Sequence, residues 1–85
     1  MGINKEARSR AECINPKLDL LDSVQLTQLC DALGVATKEK VRGGLWRAHS
    51  DDKLRKMIRR VISIGTFPDR LMRFSALAED MLGQS

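Results

Sequence analysis

The side chains that could act in catalysis are few in this chain. His49 is the only imidazole, and Asp51 and Asp52 follow closely enough for a carboxylate to orient its ring as in a general base. No nucleophile stands at an identifiable spacing from it, and Ser63 and Ser75 carry no hydrolase signature. We therefore expect His49 to be structural or solvent-facing, and the chain not to be an enzyme.

Few residues could bind a metal or a cofactor. Cys13 and Cys30 lie far apart, with only His49 as a companion, whereas structural zinc takes four ligands. Gly43 and Gly44 are not followed by the Lys-Ser/Thr pair that completes a phosphate loop. The sequence predicts no metal and no cofactor. It predicts Cys30 as a small core residue and gives no sign that Cys13 is reactive.

The strongest chemical feature is a run of cations, five of them between residues 53 and 60, in a chain of net charge +4. At 100° per residue the apolar residues of this segment fall on one side of a helix and the cations on the other. Such a face can stay in solvent, dock an acidic protein or contact phosphates. It carries no Asn or Gln for base reading. The cations are Lys53, Arg55, Lys56, Arg59 and Arg60.

The chain before this basic segment also carries helix signals. Asp22 and Gln25 form a capping-box pattern, and apolar residues then recur at helical spacing until Gly34. Upstream, residues 18–21 predict a short turn or a first helix. Residues 1–17 are either a tail or a weak helix over about residues 4–13. The apolar stripe of that weak helix is Ile3, Ala7, Ala11 and Ile14.

In the second half of the chain, capping residues and glycines mark the predicted helix ends. Ser50 begins the basic helix and Gly65 ends it, while Pro68 fits the first position of a last helix. Before them, Thr37 can cap a helix that Gly43 and Gly44 would weaken, so this segment is a short helix, a broken helix or a place where another backbone packs closely. That helix would carry Val41, Leu45 and Ala48.

Length and composition complete the fold prediction. The chain has 85 residues, enough for one domain, and 42% of them are hydrophobic. No alternating strand pattern is apparent, so we predict an all-α compact bundle of four to six short helices, with residues 18–85 as a single helical domain. Two cysteines make no disulfide framework, and no apolar run approaches the roughly 20 residues that span a membrane. These features predict a cytoplasmic protein.

A helix-turn-helix is one alternative for the first half, in "LTQLCDALGVATKEKVRGGLW". Its second helix needs an apolar residue about six positions after the turn glycine, Gly34. That position is Lys40, and Val41 comes one step late. A second buried position is Gly43. The alternative of a small basic nucleic-acid-binding regulator stays open, through this motif or the basic helix.

Two stretches carry a family resemblance. "DSVQLTQLCDALGV", residues 22–35, resembles the opening of the effector-associated domains of bacterial conflict systems. "DDKLRKMIRRVISIGTFPDRLMRF", residues 51–74, is similar to their closing half. The same outline resembles death-effector and other death-fold domains. The segment between the halves departs from the family pattern, because it is longer and carries Gly43-Gly44-Leu45-Trp46.

The resemblance implies a death-fold-like, non-catalytic adaptor that recruits an effector by pairing with a protein partner, itself a similar helical domain. A phage- or plasmid-type inhibitor of a host protein fits the same size and charge. Trp46 is expected in the core because of its area, but an exposed Trp46 would be an interaction anchor. The contact residues that the resemblance implies are Lys53, Arg55, Lys56, Arg59, Arg60, Arg70 and Arg73.

Overall fold

The computed structural model describes residues 2–83, with side chains from residue 5 onward. The helices are α1 (Gly2–Ile14), a 3₁₀ helix (Asn15–Leu20), α2 (Ser23–Leu33), α3 (Asp51–Ile64) and α4 (Pro68–Leu82). Two short antiparallel strands, β1 (Lys38–Lys40) and β2 (Trp46–Ala48), lie between α2 and α3. The predicted compact, mostly helical fold with four α-helices is confirmed, and one small two-stranded sheet accompanies the helices. None of the described helices is both long and apolar enough to cross a membrane.

The predicted helix ends of α2 and α3 are confirmed. The Asp22 carboxylate accepts from the Gln25 amide at 2.9 Å, and the Gln25 side chain accepts from the Asp22 amide at 3.1 Å. Ser50 Oγ accepts from the Lys53 amide at 3.2 Å. Gly34 and Gly65 end the two helices at φ values of 75° and 64°, a left-handed conformation that glycine adopts at little cost.

The amino-terminal segment is a helix and packs against α4. Ala7, Ala11 and Ile14 are buried, while the side chain of Ile3 lies outside the described residues. Two alanines on the packed face let the helices approach closely, and the Arg10 guanidinium donates to both oxygens of Glu79, at 2.8 and 2.6 Å. Residues 5–17 are therefore part of the same packed body.

The core is one cluster shared by all four α-helices and the 3₁₀ helix. Leu18 and Leu21 bring the 3₁₀ helix into it, and Phe74 of α4 is among its largest fully buried side chains. The apolar positions predicted for α2 and the centre of the apolar face predicted for α3 are buried, which confirms the helical periodicity. These are Leu26, Leu29, Cys30, Leu33, Leu54, Ile58 and Ile62.

A β hairpin replaces the helix predicted after Thr37. Lys38 pairs with Ala48 and Lys40 with Trp46, and the Val41 amide donates to the Leu45 carbonyl at 2.7 Å. Gly43 and Gly44 have φ values of 86° and 76°, so the chain reverses there instead of continuing a helix. The helix offered for this segment is therefore not formed, and two short strands are added to the mostly helical fold.

The hairpin also excludes the helix-turn-helix that was an alternative for this part of the chain. In that motif a recognition helix follows directly after the turn, whereas here the chain after Gly34 runs into β1. The off-register Lys40 and the glycine at position 43 had already weakened the pattern. The structure shows that residues 38–48 serve a two-stranded element instead.

Candidate functional site

Arg55, predicted to lie on a solvent-exposed basic face, is turned inward. Its side chain is only 17% exposed. Nε donates to the Leu18 carbonyl and a terminal nitrogen to the Leu21 carbonyl, both at 3.2 Å. Asp19 and Asp52 add ion pairs at 3.5 and 3.3 Å. Arg55 therefore joins α3 to the 3₁₀ helix and is not available to a partner.

Arg59 has a similar role one turn later. Its Nε donates to Asn15 Oδ1 at 2.8 Å, and a terminal nitrogen lies 3.5 Å from an Asp19 oxygen. The prediction of one solid basic face in solvent was therefore wrong for Arg55, whereas Arg59 keeps a 40% exposed side chain while making these contacts. The reason lies in an earlier segment of the chain: the Leu18 and Leu21 carbonyls and the Asp19 carboxylate lie beside α3, and a guanidinium fork satisfies several acceptors at once.

The remaining predicted contact residues are exposed. In the described part of the chain, Lys53, Lys56 and Arg60 on α3 and Arg73 on α4 form no ion pair. Arg70 is also exposed, but its guanidinium lies 4.5 Å from the centre of the Phe67 ring. These positions provide scattered positive charge along α3 and α4.

The hairpin has an outer face that the sequence did not reveal. Successive strand residues point to opposite sides, so the paired residues Lys38 and Ala48 share a side with Lys40 and Trp46. All four are exposed, and Trp46 is 66% exposed. Leu45, beside it at the turn, is 68% exposed. Trp46 was expected in the core; instead it stands in solvent, the condition under which it was predicted to be an anchor. We call residues 38, 40, 45 and 46 the outer face.

The inner side of the hairpin holds a polar network centred on Glu39. One carboxylate oxygen lies 2.7 Å from an Arg47 nitrogen, and the other lies 3.1 Å from His49 Nδ1. The hydrogen bond from Arg47 lowers the pKa of Glu39, and the charges of Arg47, His49 and Lys53 add to this effect. Glu39 is therefore firmly ionised near neutral pH.

His49 consequently pairs with a carboxylate that was not predicted. Asp51 accepts a hydrogen bond from the Ser23 hydroxyl, and Asp52 pairs with Arg55. The carboxylate that reaches the imidazole comes from β1, ten residues upstream, because the hairpin register sets Glu39 opposite Arg47. A sequence signal existed: the Gly43-Gly44 pair is a turn signal that is also compatible with a hairpin.

The two cysteines are unpaired. Cys30 is buried, and loss of solvent, with a smaller effect from Asp31, raises the pKa of its thiol to about 11. Cys30 is therefore a core residue with little thiolate, as predicted. Cys13 is exposed. No cluster of three or more metal-ligating His, Cys, Asp or Glu side chains occurs within residues 2–83.

Comparisons with protein-family models, with curated proteins and with solved structures return no match. The fold and site define the chain as a small helical domain that carries an exposed basic hairpin with an apolar end. Functional inference for this domain rests on the geometry of that hairpin and of its junction with α3.

Proposed function

We propose that this chain is a non-catalytic adaptor domain that docks an acidic partner protein through the outer face of its hairpin. The observation that carries the proposal is the exposure of Leu45 and Trp46, at 68% and 66%. None of the residues of the hairpin is buried, and the strands contact chiefly each other. Folding of the helical body therefore gives no reason for two large apolar side chains at this place.

The chemistry of the outer face suits a protein interface. A tryptophan offers a large contact area with few rotatable bonds and is enriched among residues that dominate binding energy. Lys38, Lys40 and Arg42 surround it, and within the described residues none of them forms an ion pair. Unpaired cations around an apolar centre would steer and orient an acidic partner.

The resemblance to effector-associated and death-fold domains supports an adaptor role. The two resembling stretches, residues 22–35 and 51–74, contain α2, α3 and the first part of α4, which pack on one another around the core. A death-fold-like order of helices is part of the proposal, with the hairpin inserted between the two halves. The partner would be a similar helical domain with an acidic surface, and Lys53, Lys56 and Arg60 would add charge to the contact. The unpaired Cys13 and Cys30 support a reducing, cytoplasmic setting.

Site-specific photocrosslinking tests the proposal. A photoreactive amino acid replaces Leu45 in the full chain, and in a matched control replaces Gln28, which is exposed on α2. We expect a discrete protein adduct from position 45 that is lost when Lys38 and Lys40 are both changed to Glu, and no such adduct from position 28. The same adducts from both positions, or none from position 45, would contradict the proposal. The identity of the adduct separates an adaptor, which pairs with a helical domain, from an inhibitor, which masks an unrelated host protein.

A nucleic-acid partner is the second candidate, favoured by the position of Trp46 beside Lys40 on one face of a hairpin. Bases stack on exposed aromatic rings, and lysines contact phosphates. Fluorescence anisotropy with labelled duplex and single-stranded DNA, at low and physiological salt, tests it. Binding that falls steeply with salt and is weakened by Trp46→Ala would favour nucleic acid over protein. Absence of binding at low salt would remove this candidate.

A further inference from the structure

A polar cleft lies where the inner side of the hairpin meets the start of α3. Its volume is ≈ 390 Å³. Arg47, His49 and Lys53 contribute nitrogen-bearing side chains to it from β2, the following link and α3. The cleft is also lined by Glu39, Ala48 and Ser50. Three potential hydrogen-bond donors from separate parts of the chain thus meet in one concave site.

Glu39 orients Arg47 and His49 and leaves one further nitrogen of each side chain available to a ligand. Glu39 binds Nδ1 of His49 and one terminal nitrogen of Arg47. Nε2 of His49, the other terminal nitrogen of Arg47 and Nζ of Lys53 have no hydrogen-bond partner among the described residues. The His49 side chain is only 9% exposed, so its free nitrogen belongs to a largely buried ring that lines the cleft. A ligand in the cleft would therefore meet a ring whose position Glu39 already fixes.

The charge of the cleft favours an anion. Arg47 and Lys53 contribute two positive charges and Glu39 one negative charge, and a protonated His49 adds one more positive charge. Asp51 and Asp52 do not line the cleft: Asp51 accepts from the Ser23 hydroxyl and Asp52 pairs with Arg55. Because Nδ1 of His49 faces the Glu39 carboxylate, Nε2 donates to an anion only when the ring carries both protons.

We infer that this cleft binds a phosphate group, held by Arg47, His49 and Lys53. Phosphate has enough acceptor oxygens for three converging donors, and its compact shape fits a site formed by two short elements. Free phosphate and a phosphate monoester present the same chemistry here. The site is separate from the outer face, since Arg47 points to the opposite side of the hairpin from Trp46.

The test is an NMR titration of the full ¹⁵N-labelled chain with inorganic phosphate, with sodium chloride at matched ionic strength as the reference. We expect saturable shifts confined to amides of residues 39, 47–50 and 53. Lys53→Gln should raise the Kd at least fivefold. Arg47→Gln should raise it at least tenfold, because it removes a donor and leaves Glu39 facing the anion without its arginine.

Two control variants give the outcome its meaning. Lys56→Gln removes an exposed cation of α3 outside the cleft, and Trp46→Ala alters the outer face; both should bind phosphate as the unaltered chain does. Shifts that sodium chloride reproduces, or an equal loss with Lys56→Gln, would overturn the inference. A parallel titration with O-phosphoserine distinguishes the sources: equal affinity indicates recognition of phosphate alone, and tighter binding indicates a monoester. Because Trp46→Ala separates the two sites, failure here would leave the docking proposal standing, and the reverse also holds.

Discussion

The helix α3 and the β hairpin carry similar positive charge and use it in opposite ways. On α3, Arg55 and Arg59 reach back to the 3₁₀ helix and hold the body together. On the hairpin, Lys38 and Lys40 extend into solvent beside Trp46. The difference teaches that a count of cations does not locate a docking surface. What matters is whether acceptors of the same chain lie within reach of each cation.

Truncating an apolar side chain should give the largest difference between the two regions. Ile58 of α3 is fully buried, so Ile58→Ala should lower the free energy of unfolding by about 3 kcal/mol through lost burial and a cavity. Leu45→Ala on the hairpin should change it by less than about 0.5 kcal/mol. Urea denaturation followed by circular dichroism measures both. A comparable cost for Leu45→Ala would mean that the hairpin packs on the helical body and that Leu45 contributes to folding.

The next largest effect concerns the inward arginine. Arg55→Ala should cost about 2 kcal/mol, because the Leu18 and Leu21 carbonyls lose a charged donor. Lys56→Ala, the adjacent exposed position, should be close to neutral. Arg55→Lys should restore little, since one ammonium cannot reproduce the guanidinium fork. The same denaturation experiment applies, and equal effects for residues 55 and 56 would return Arg55 to the solvent-exposed set.

A smaller effect is expected at the hairpin turn. Gly44 has a φ of 76°, and an added Cβ would meet no atom within 4 Å, so Gly44→Ala is opposed by backbone strain alone, about 1 kcal/mol. The cost should appear as local opening. Hydrogen exchange at the Val41 amide, which donates to Leu45, should accelerate several-fold while core amides of α3 do not change. Equal acceleration in α3 would show that hairpin and body unfold as one unit.

Lowering the pH should affect two exposed ion pairs to different degrees. The hydrogen bond from Arg10 lowers the pKa of Glu79, as Arg47 lowers that of Glu39. A carboxyl pKa that is lower in the folded state stabilises the fold above the ordinary value of about 4.3, and this stabilisation is lost as pH falls below that value.

Arg10 and Glu79 connect α1 to α4, whereas Arg47 and Glu39 lie within the hairpin. Arg10→Gln should therefore reduce the difference between urea midpoints at pH 7 and pH 3. Arg47→Gln should reduce it less, because the hairpin is expected to open locally before the body unfolds, so that less of the Glu39 contribution remains at the urea midpoint. A larger change with Arg47→Gln than with Arg10→Gln would contradict this prediction.

Much of the helical body could be predicted because its signals are local. The capping box at Asp22 and Gln25, the Ser50 cap and the apolar spacing of α2 and α3 act within a few residues of one another. The hairpin was missed because β1 is Lys-Glu-Lys, without any apolar residue, and the single alternation of Trp-Arg-Ala in β2 is too short to indicate a strand. The inward turn of Arg55 depends on the 3₁₀ helix, 34 to 37 residues earlier in the chain, which no local pattern of α3 contains.

The most direct test of the central claim uses Trp46, the only tryptophan in the chain, as its own reporter. The partner captured at position 45 is added to the unaltered chain, and the indole emission and its quenching by acrylamide are recorded. We predict that free Trp46 emits as a solvent-exposed indole and is readily quenched. When the partner binds, the emission should move to shorter wavelength and quenching should fall severalfold. A partner that binds while emission and quenching stay unchanged would show that the outer face of the hairpin is not the docking surface.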